Sequence, residues 1–383
     1  MIHQTPTLDW LERLVAHQTT PDQSNLALID EIEAYLLGFG IHCQRSYDET
    51  GLKANLLATI GDRARPGLIL SGHTDVVSAE NQTWSGAPFR LSVRNNKAFG
   101  RGACDMKGFL AVMLHLVPEF VDAANHTTVH LAFSYDEEIG CVGVRRLIPL
   151  FDNLPAKPIG CIVGEPTGMQ VLIGHKGKST HRVLVTGLEG HSSMPHLAVN
   201  AVEIAAELVA FLNQEASKRR AYRRDDRFNP PHTTVHTGLI HGGTAINIVP
   251  NTCSFDFEMR LVPGDDPQDI LLGLQEKADE LLSQRAERKD GPSVTIETLA
   301  SYPGLQIEPT ATLARLAHTA SNAGDMGFVS FGTEAGLIAA AGIPAIVMGP
   351  GSITQAHKPD EFVAIDQLMQ CKSALRRVVL KKA

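Results

Sequence analysis

The chain has 383 residues, of which 43% are hydrophobic, enough to bury a large core, and at about 100–200 residues per domain two domains are expected. A formal charge of -8, from 42 acidic against 34 basic residues, argues against a phosphate-backbone footprint and hence against a nucleic-acid partner. The six cysteines, at 43, 104, 141, 161, 253 and 371, contain no C-x-x-C pair, which excludes a zinc ribbon or a disulfide framework and fits a reducing compartment. No apolar run reaches about 18 residues, and residues 1–7 lack the basic and apolar regions of a signal peptide. A soluble cytoplasmic protein with no membrane partner is expected.

Over residues 1–178 strands and helices alternate. Residues 7–17 and 25–37 read as helices, the second stopping at Gly38-Phe39-Gly40, where a helix C-terminus favours glycine. Strands are expected near 54–60 and 68–77, a helix from 106, a strand at 128–134, a helix from about 142 and a strand at 159–163. This is the βα pattern of a mostly parallel sheet with helices on both faces.

Between about 179 and 302 the order changes: a strand at 180–186, a helix at 200–216, strands at 233–241 and 253–261 around Gly242-Gly243, a helix at 267–288 and a strand at 293–299. That β-α-β-β-α-β order is the ferredoxin-like, split βαβ unit, an α+β domain inserted into the first. Residues 303–383 then resume the first domain. The basic cluster at 218–227 also contains Asp225 and Asp226 and reads as a solvated helix end. Gly174-His175-Lys176-Gly177-Lys178-Ser179 echoes a phosphate-binding loop but has Leu172 where that motif needs glycine.

Four apolar runs stop at metal-capable residues: 68–70 before His73 and Asp75, 129–135 before Glu137 and Glu138, 161–163 before Glu165, and 345–348 upstream of His357. In an open α/β sheet, ligands gather beyond the carboxyl ends of parallel strands, which makes these one site. Asp105 is expected as the N-cap of the helix that follows it. His-x-Asp alone marks a satisfied surface pair as readily as a ligand. In this context Asp75 is placed to accept the second ring N–H of His73. Glu137-Glu138 reads either as an exposed acidic turn or as one ligand beside one general base, since a cation relieves their repulsion. Two histidines and three carboxylates suit two Zn2+ ions, with Co2+ or Mn2+ as substitutes. Asp105 would bridge the ions, and a water between them would be the nucleophile.

Ser71-Gly72-His73-Thr74-Asp75-Val76-Val77, Gly100-Arg101-Gly102-Ala103-Cys104-Asp105-Met106-Lys107-Gly108, Asp136-Glu137-Glu138, Gly164-Glu165-Pro166-Thr167 and His357 resemble the dinuclear zinc peptidase and deacetylase family, and the resemblance spans nearly the whole chain. It implies that His73 and Glu165 hold one zinc and Glu138 and His357 the other. Asp105 then bridges, Asp75 orients His73, Glu137 is the general acid/base, and a cis peptide follows Asp105. It implies further that the inserted domain is a lid that forms a homodimer. In that lid His191 steadies the oxyanion in the partner's site, while Asn247 and Arg260 contact substrate. Taken by themselves, His191 is equally a surface-loop histidine, Asn247 a turn residue and Arg260 a solvated arginine.

Phe331-Gly332-Thr333-Glu334-Ala335-Gly336, the segment 348–361 and Gly174-His175-Lys176-Gly177 resemble the acetylornithine deacetylase branch more than the desuccinylase. The substrate class implied is a small N-acyl amino acid, and Glu334 is placed either to receive a substrate amine or to buttress locally. Cys104 stands where relatives carry a smaller residue, a soft atom beside Asp105.

Overall fold

In the computed structural model the described residues, 5–222, 224–284 and 291–380, fold as two compact units. One takes the chain up to Gly174, Leu305–Phe328 and the segment from Thr333 onward; the other takes His175–Gly304 and Val329–Gly332. The sequence boundaries of 178/179 and 302/303 shift for a local reason. The first strand of the second unit spans Gly177–Thr186, three residues earlier than its alternation suggests. Residues 329–332 also return to that unit: Lys176 N donates to Val329 O at 3.2 Å and Ser330 Oγ to Asn229 O at 2.6 Å.

The first unit carries a nine-stranded sheet. At its centre Val129–Ser134, Leu68–His73, Gly160–Val163 and Ala345–Val347 lie side by side and parallel. All four are buried along their whole length, as strands covered on both faces must be. Leu56, Ala58, Ile60, Leu68, Leu70, Leu131, Phe133 and Ile162 share one core with the helices Pro6–Ala16, Leu26–Leu37, Lys107–Asp122, Thr312–Ser321 and Ile365–Leu380. The alternate residues Leu57, Ile69, Ala132 and Val163 point to the other side, where Val144–Asp152 and Ala335–Ala340 pack. A strand at His42–Tyr47, absent from the sequence reading, pairs antiparallel with Ala54–Ile60 at the sheet edge.

A three-stranded sheet joins Ser92–Arg94, Lys97–Phe99 and Phe362–Ala364, opposing Phe99 to Phe362. It brings the stretch before the Lys107–Asp122 helix beside the segment that follows His357. That helix buries nearly all of its apolar length, Phe109 through Val117 included, apart from His115. Asp105 is not its N-cap: the cap is Met106, without a side-chain cap bond, and the Asp105–Met106 peptide is cis. The Asp105 carboxylate turns instead toward two histidines, His73 and His357.

The second unit is a four-stranded antiparallel sheet in the order Thr234–Gly242, Thr252–Leu261, Gly177–Thr186, Ser293–Tyr302, with helices Ala201–Tyr222 and Gln268–Ser283. Cys253, Phe255, Phe257, Met259 and Leu261 alternate into its core while Arg260 takes the other face. This is the expected split βαβ order. The last expected turn of the 267–288 helix lies outside the described residues.

Candidate metal centre

Each side chain of the centre follows the carboxyl end of a central strand or precedes the long helix. His73 closes Leu68–His73, the 136–138 turn follows Val129–Ser134, Glu165 follows Gly160–Val163, and His357 lies beyond Ala345–Val347. Gly164 lets Glu165 sit here: a Cβ at that position would meet the Phe109 ring at 2.0–2.4 Å. Asp136 adopts φ 52° to make its turn, and Lys53 Nζ reaches both of its oxygens at 2.5 and 2.7 Å.

Asp105 joins two ligand pairs. Its Oδ1 lies 3.2 Å from His73 Nε2, which is 3.7 Å from Glu165 Oε1. Its Oδ2 lies 3.3 Å from His357 Nε2, which is 3.0 Å from Glu138 Oε2. Donor atoms sharing one tetrahedral zinc with bonds of 2.0–2.1 Å stand about 3.3 Å apart, the same scale. Ligand atoms of His73, Asp105 and Glu138, and of His73, Glu137 and Glu165, fall within 4.8 Å of one another.

Asp75 makes a different set of contacts from the one its spacing suggests. The strand ends at His73, so the nearest acceptor of His73 Nδ1 is the Asp75 carbonyl at 3.0 Å, with the carboxylate at 3.5 Å. The carboxylate itself accepts the backbone N–H groups of Glu137 and Glu138, each at 3.1 Å. Cys141 Sγ donates to Glu137 Oε1 at 3.2 Å.

The charges are out of balance without a cation. Burial first, then the Glu138 and Asp75 carboxylates against the opposing His73, push Glu137 up to about 8. Burial and the Asp105 carboxylate raise Glu138 and Glu165 as well, Glu165 strongly. Hydrogen bonds to Asp105 and Glu138 lift His357 to about 10, and His73 is raised despite its burial by Asp105 and Asp75. Asp105 is held well below the carboxylate range, against burial, by the two histidines. Glu138 Oε1 and Glu165 Oε1 are buried with no hydrogen-bond partner. A buried set of two imidazoles and an excess of carboxylates with orphaned oxygens fits two divalent cations.

The other expected site residues fall elsewhere. Glu334 is 1% exposed, and its two oxygens accept Ser71 Oγ at 2.5 Å and Ser134 Oγ at 2.7 Å. Both oxygens of Glu334, read from the sequence either as a receiver of substrate amine or as a local buttress, are thus engaged by the ligand-bearing strands. Cys104 gives its thiol to Ser352 O at 3.4 Å, and burial keeps that thiol protonated. His191, Asn247 and Arg260 belong to the second unit. There His191 is exposed with Nδ1 near Ser193 Oγ at 2.8 Å, Ser192 N donates to Asn247 O at 3.1 Å, and Arg260 Nε donates to Glu258 at 3.0 Å.

Sequence reasoning missed Lys53, Cys141 and the buried pair Arg101–Glu361, whose side chains are each 1% exposed. The signal for Arg101 was an arginine between two glycines beside a ligand, with a glutamate four residues past His357.

The model of peptidase family M20/M25/M40 matches residues 69–381. The acetylornithine deacetylase of Myxococcus xanthus is 34% identical over 379 residues, covering 96% of this chain and 95% of the relative. That of Photorhabdus laumondii subsp. laumondii is 35% identical over 355 residues, covering 89% and 86%. An M20 family metallo-carboxypeptidase from Sulfolobus solfataricus superposes with a TM-score of 0.77 at 18% identity over 98% of both chains, a likeness of fold. The chain is a hydrolase and belongs to peptidase family M20/M25/M40.

Proposed function

We propose that the chain hydrolyses the N-acetyl amide of N2-acetyl-L-ornithine to acetate and L-ornithine, a step of arginine biosynthesis, in the cytoplasm and as a homodimer. The observation that carries the chemistry is Asp105, one oxygen against His73 and the other against His357, with His73 paired in turn to Glu165 and His357 to Glu138. The likeness to acetylornithine deacetylases at 34–35% identity supports the substrate. In this reading His73, Asp105 and Glu165 hold one Zn2+, and Asp105, Glu138 and His357 hold a second, Co2+ or Mn2+ serving in their place. Two such ions, when bound, acidify water and polarise the acyl carbonyl.

The chain supplies the proton path. Glu137, on a turn pinned by Asp75, accepts a proton from the attacking water at its carboxylate and delivers it to the leaving amine nitrogen. His191, from the lid of a partner copy, steadies the oxyanion, and Asn247 and Arg260 contact the amino-acid portion. The zinc-loaded protein is tested on N2-acetyl-L-ornithine, N-succinyl-diaminopimelate, other N-acetyl amino acids and dipeptides. A kcat/KM highest for acetylornithine supports the reading. Preference for another member of the panel moves the substrate to that class.

A further inference from the structure

We infer that Glu361, Arg101 and Gln82 form a positioning clamp that sets Asp105 against His357 and so governs whether one ion or two are held. The inference rests on the two-ion reading above. None of the three side chains is among the proposed ligands. What they hold is the backbone on either side of the centre.

Glu361 gathers four N–H groups on one carboxylate. Oε2 accepts Arg101 Nη1 at 2.7 Å and Gly102 N at 3.1 Å, and Oε1 accepts Cys104 N at 2.8 Å and Asp105 N at 3.0 Å. The pairing of Phe362 with Phe99, and Gly100 N donating to Glu361 O at 3.0 Å, seat it against this loop. The path from Arg101 to Asp105 is thereby fixed by a single side chain from the segment that also carries His357.

Arg101 and Gln82 close the other half. Arg101 Nη2 donates to Gln82 Oε1 and, at 3.3 Å, to Ser78 O, while Nη1 also reaches Lys358 O at 3.4 Å. Trp84 Nε1 is a second donor to Gln82 Oε1, at 3.3 Å. Two donors on Oε1 fix the amide orientation and leave Nε2 to donate to the His357 carbonyl, at 3.0 Å. The His357 side chain is 52% exposed and its backbone has φ 62°, so packing does little to hold it and this tether does more. A fully buried arginine–glutamate pair gains little net stability over apolar residues of the same shape. Its return here is positional.

One half reaches both ions and the other only one. Glu361 works through Asp105, which both positions share; Gln82 works through His357, which serves one. Outer partners of metal ligands typically contribute about 10–100-fold in affinity. Gln82→Ala is expected to weaken one of two zinc affinities by about that factor and leave the other unchanged. Glu361→Gln, which turns one acceptor oxygen into a donor facing N–H groups, is expected to weaken both. Gln82→Glu keeps the acceptor for Arg101 but loses the donor to His357, and is expected to weaken the same single ion.

The experiment is a zinc titration of metal-free full-length protein against a chromogenic chelator, with circular dichroism confirming the fold of each variant. Two wild-type affinities with one selectively reduced in Gln82→Ala and Gln82→Glu support the clamp. Wild-type binding of two ions with both affinities unchanged in Gln82→Ala, or restored by Gln82→Glu, overturns it while leaving the centre standing. A wild-type protein that binds fewer than two ions overturns the two-ion reading and the clamp with it. If Glu361→Gln does not fold, the Gln82 pair decides.

Discussion

The Asp75 carboxylate accepts the backbone N–H groups of both Glu137 and Glu138, at 3.1 Å each, and so fixes the turn that presents the proposed base and one proposed ligand together. Its contact with His73 is the longer one, at 3.5 Å. Asp75→Ala is therefore expected to lower kcat by about 10–100-fold, with KM changed by less than about threefold. Steady-state kinetics with parallel zinc analysis checks this. A kcat within about twofold of wild type would contradict the dependence of this turn on Asp75.

Glu334→Ala tests the buttress. It leaves Ser71 Oγ and Ser134 Oγ without their buried acceptor, and a loss of about 2–4 kcal/mol in urea unfolding is expected, with KM for acetylornithine within about twofold of wild type. A rise in KM with unchanged stability would return Glu334 to the substrate.

Loading the centre is expected to release protons. His357, lifted to about 10, and Glu137, pushed up to about 8, are mostly protonated at pH 7 in the metal-free chain, and the Asp105 and Asp75 carboxylates raise His73 in the same direction. Zinc binding measured calorimetrically in buffers of different ionisation enthalpy is expected to show release of more than about one proton per chain. A buffer-independent enthalpy would mean that the imidazoles are already neutral before binding.

His130 gives a pH dependence of known sign. Burial, with a smaller contribution from the Arg63 charge, lowers it to about 4, against about 6.5 in the unfolded chain. Between those values the unfolded chain binds a proton that the folded one does not. Its stability contribution is therefore complete above about pH 6.5 and declines as pH falls toward 4. In metal-free protein, the stability lost between pH 7 and pH 5 is expected to be about 2 kcal/mol smaller for His130→Asn than for wild type. Equal losses in urea unfolding at the two pH values would contradict it.

The parallel strands are plain in the sequence because each is short, apolar and buried on both faces, and a residue at such a strand end has one place to go. His73, Glu138 and Glu165 group together on that pattern alone. The His42–Tyr47 strand is not legible because it is polar and lies at an edge, where alternation is weak. The contacts of Asp75 and Glu334 are hidden for a different reason: they depend on residues 62 and 263 positions away along the chain. Periodicity carries no information about such pairings. Local rules also make Asp105 a helix cap because they see the helix after it, whereas its reading as a bridging ligand comes from the pattern of metal-capable residues and not from that helix.

The most direct test of the account is acetate release from N2-acetyl-L-ornithine by wild-type protein and Glu137→Gln, each carrying two equivalents of zinc. The account expects wild-type turnover, and a kcat reduced by about 10²–10⁴-fold in Glu137→Gln with both ions still bound. Wild-type turnover matched by a fully zinc-loaded Glu137→Gln would contradict it, because the proton would then travel by some other group.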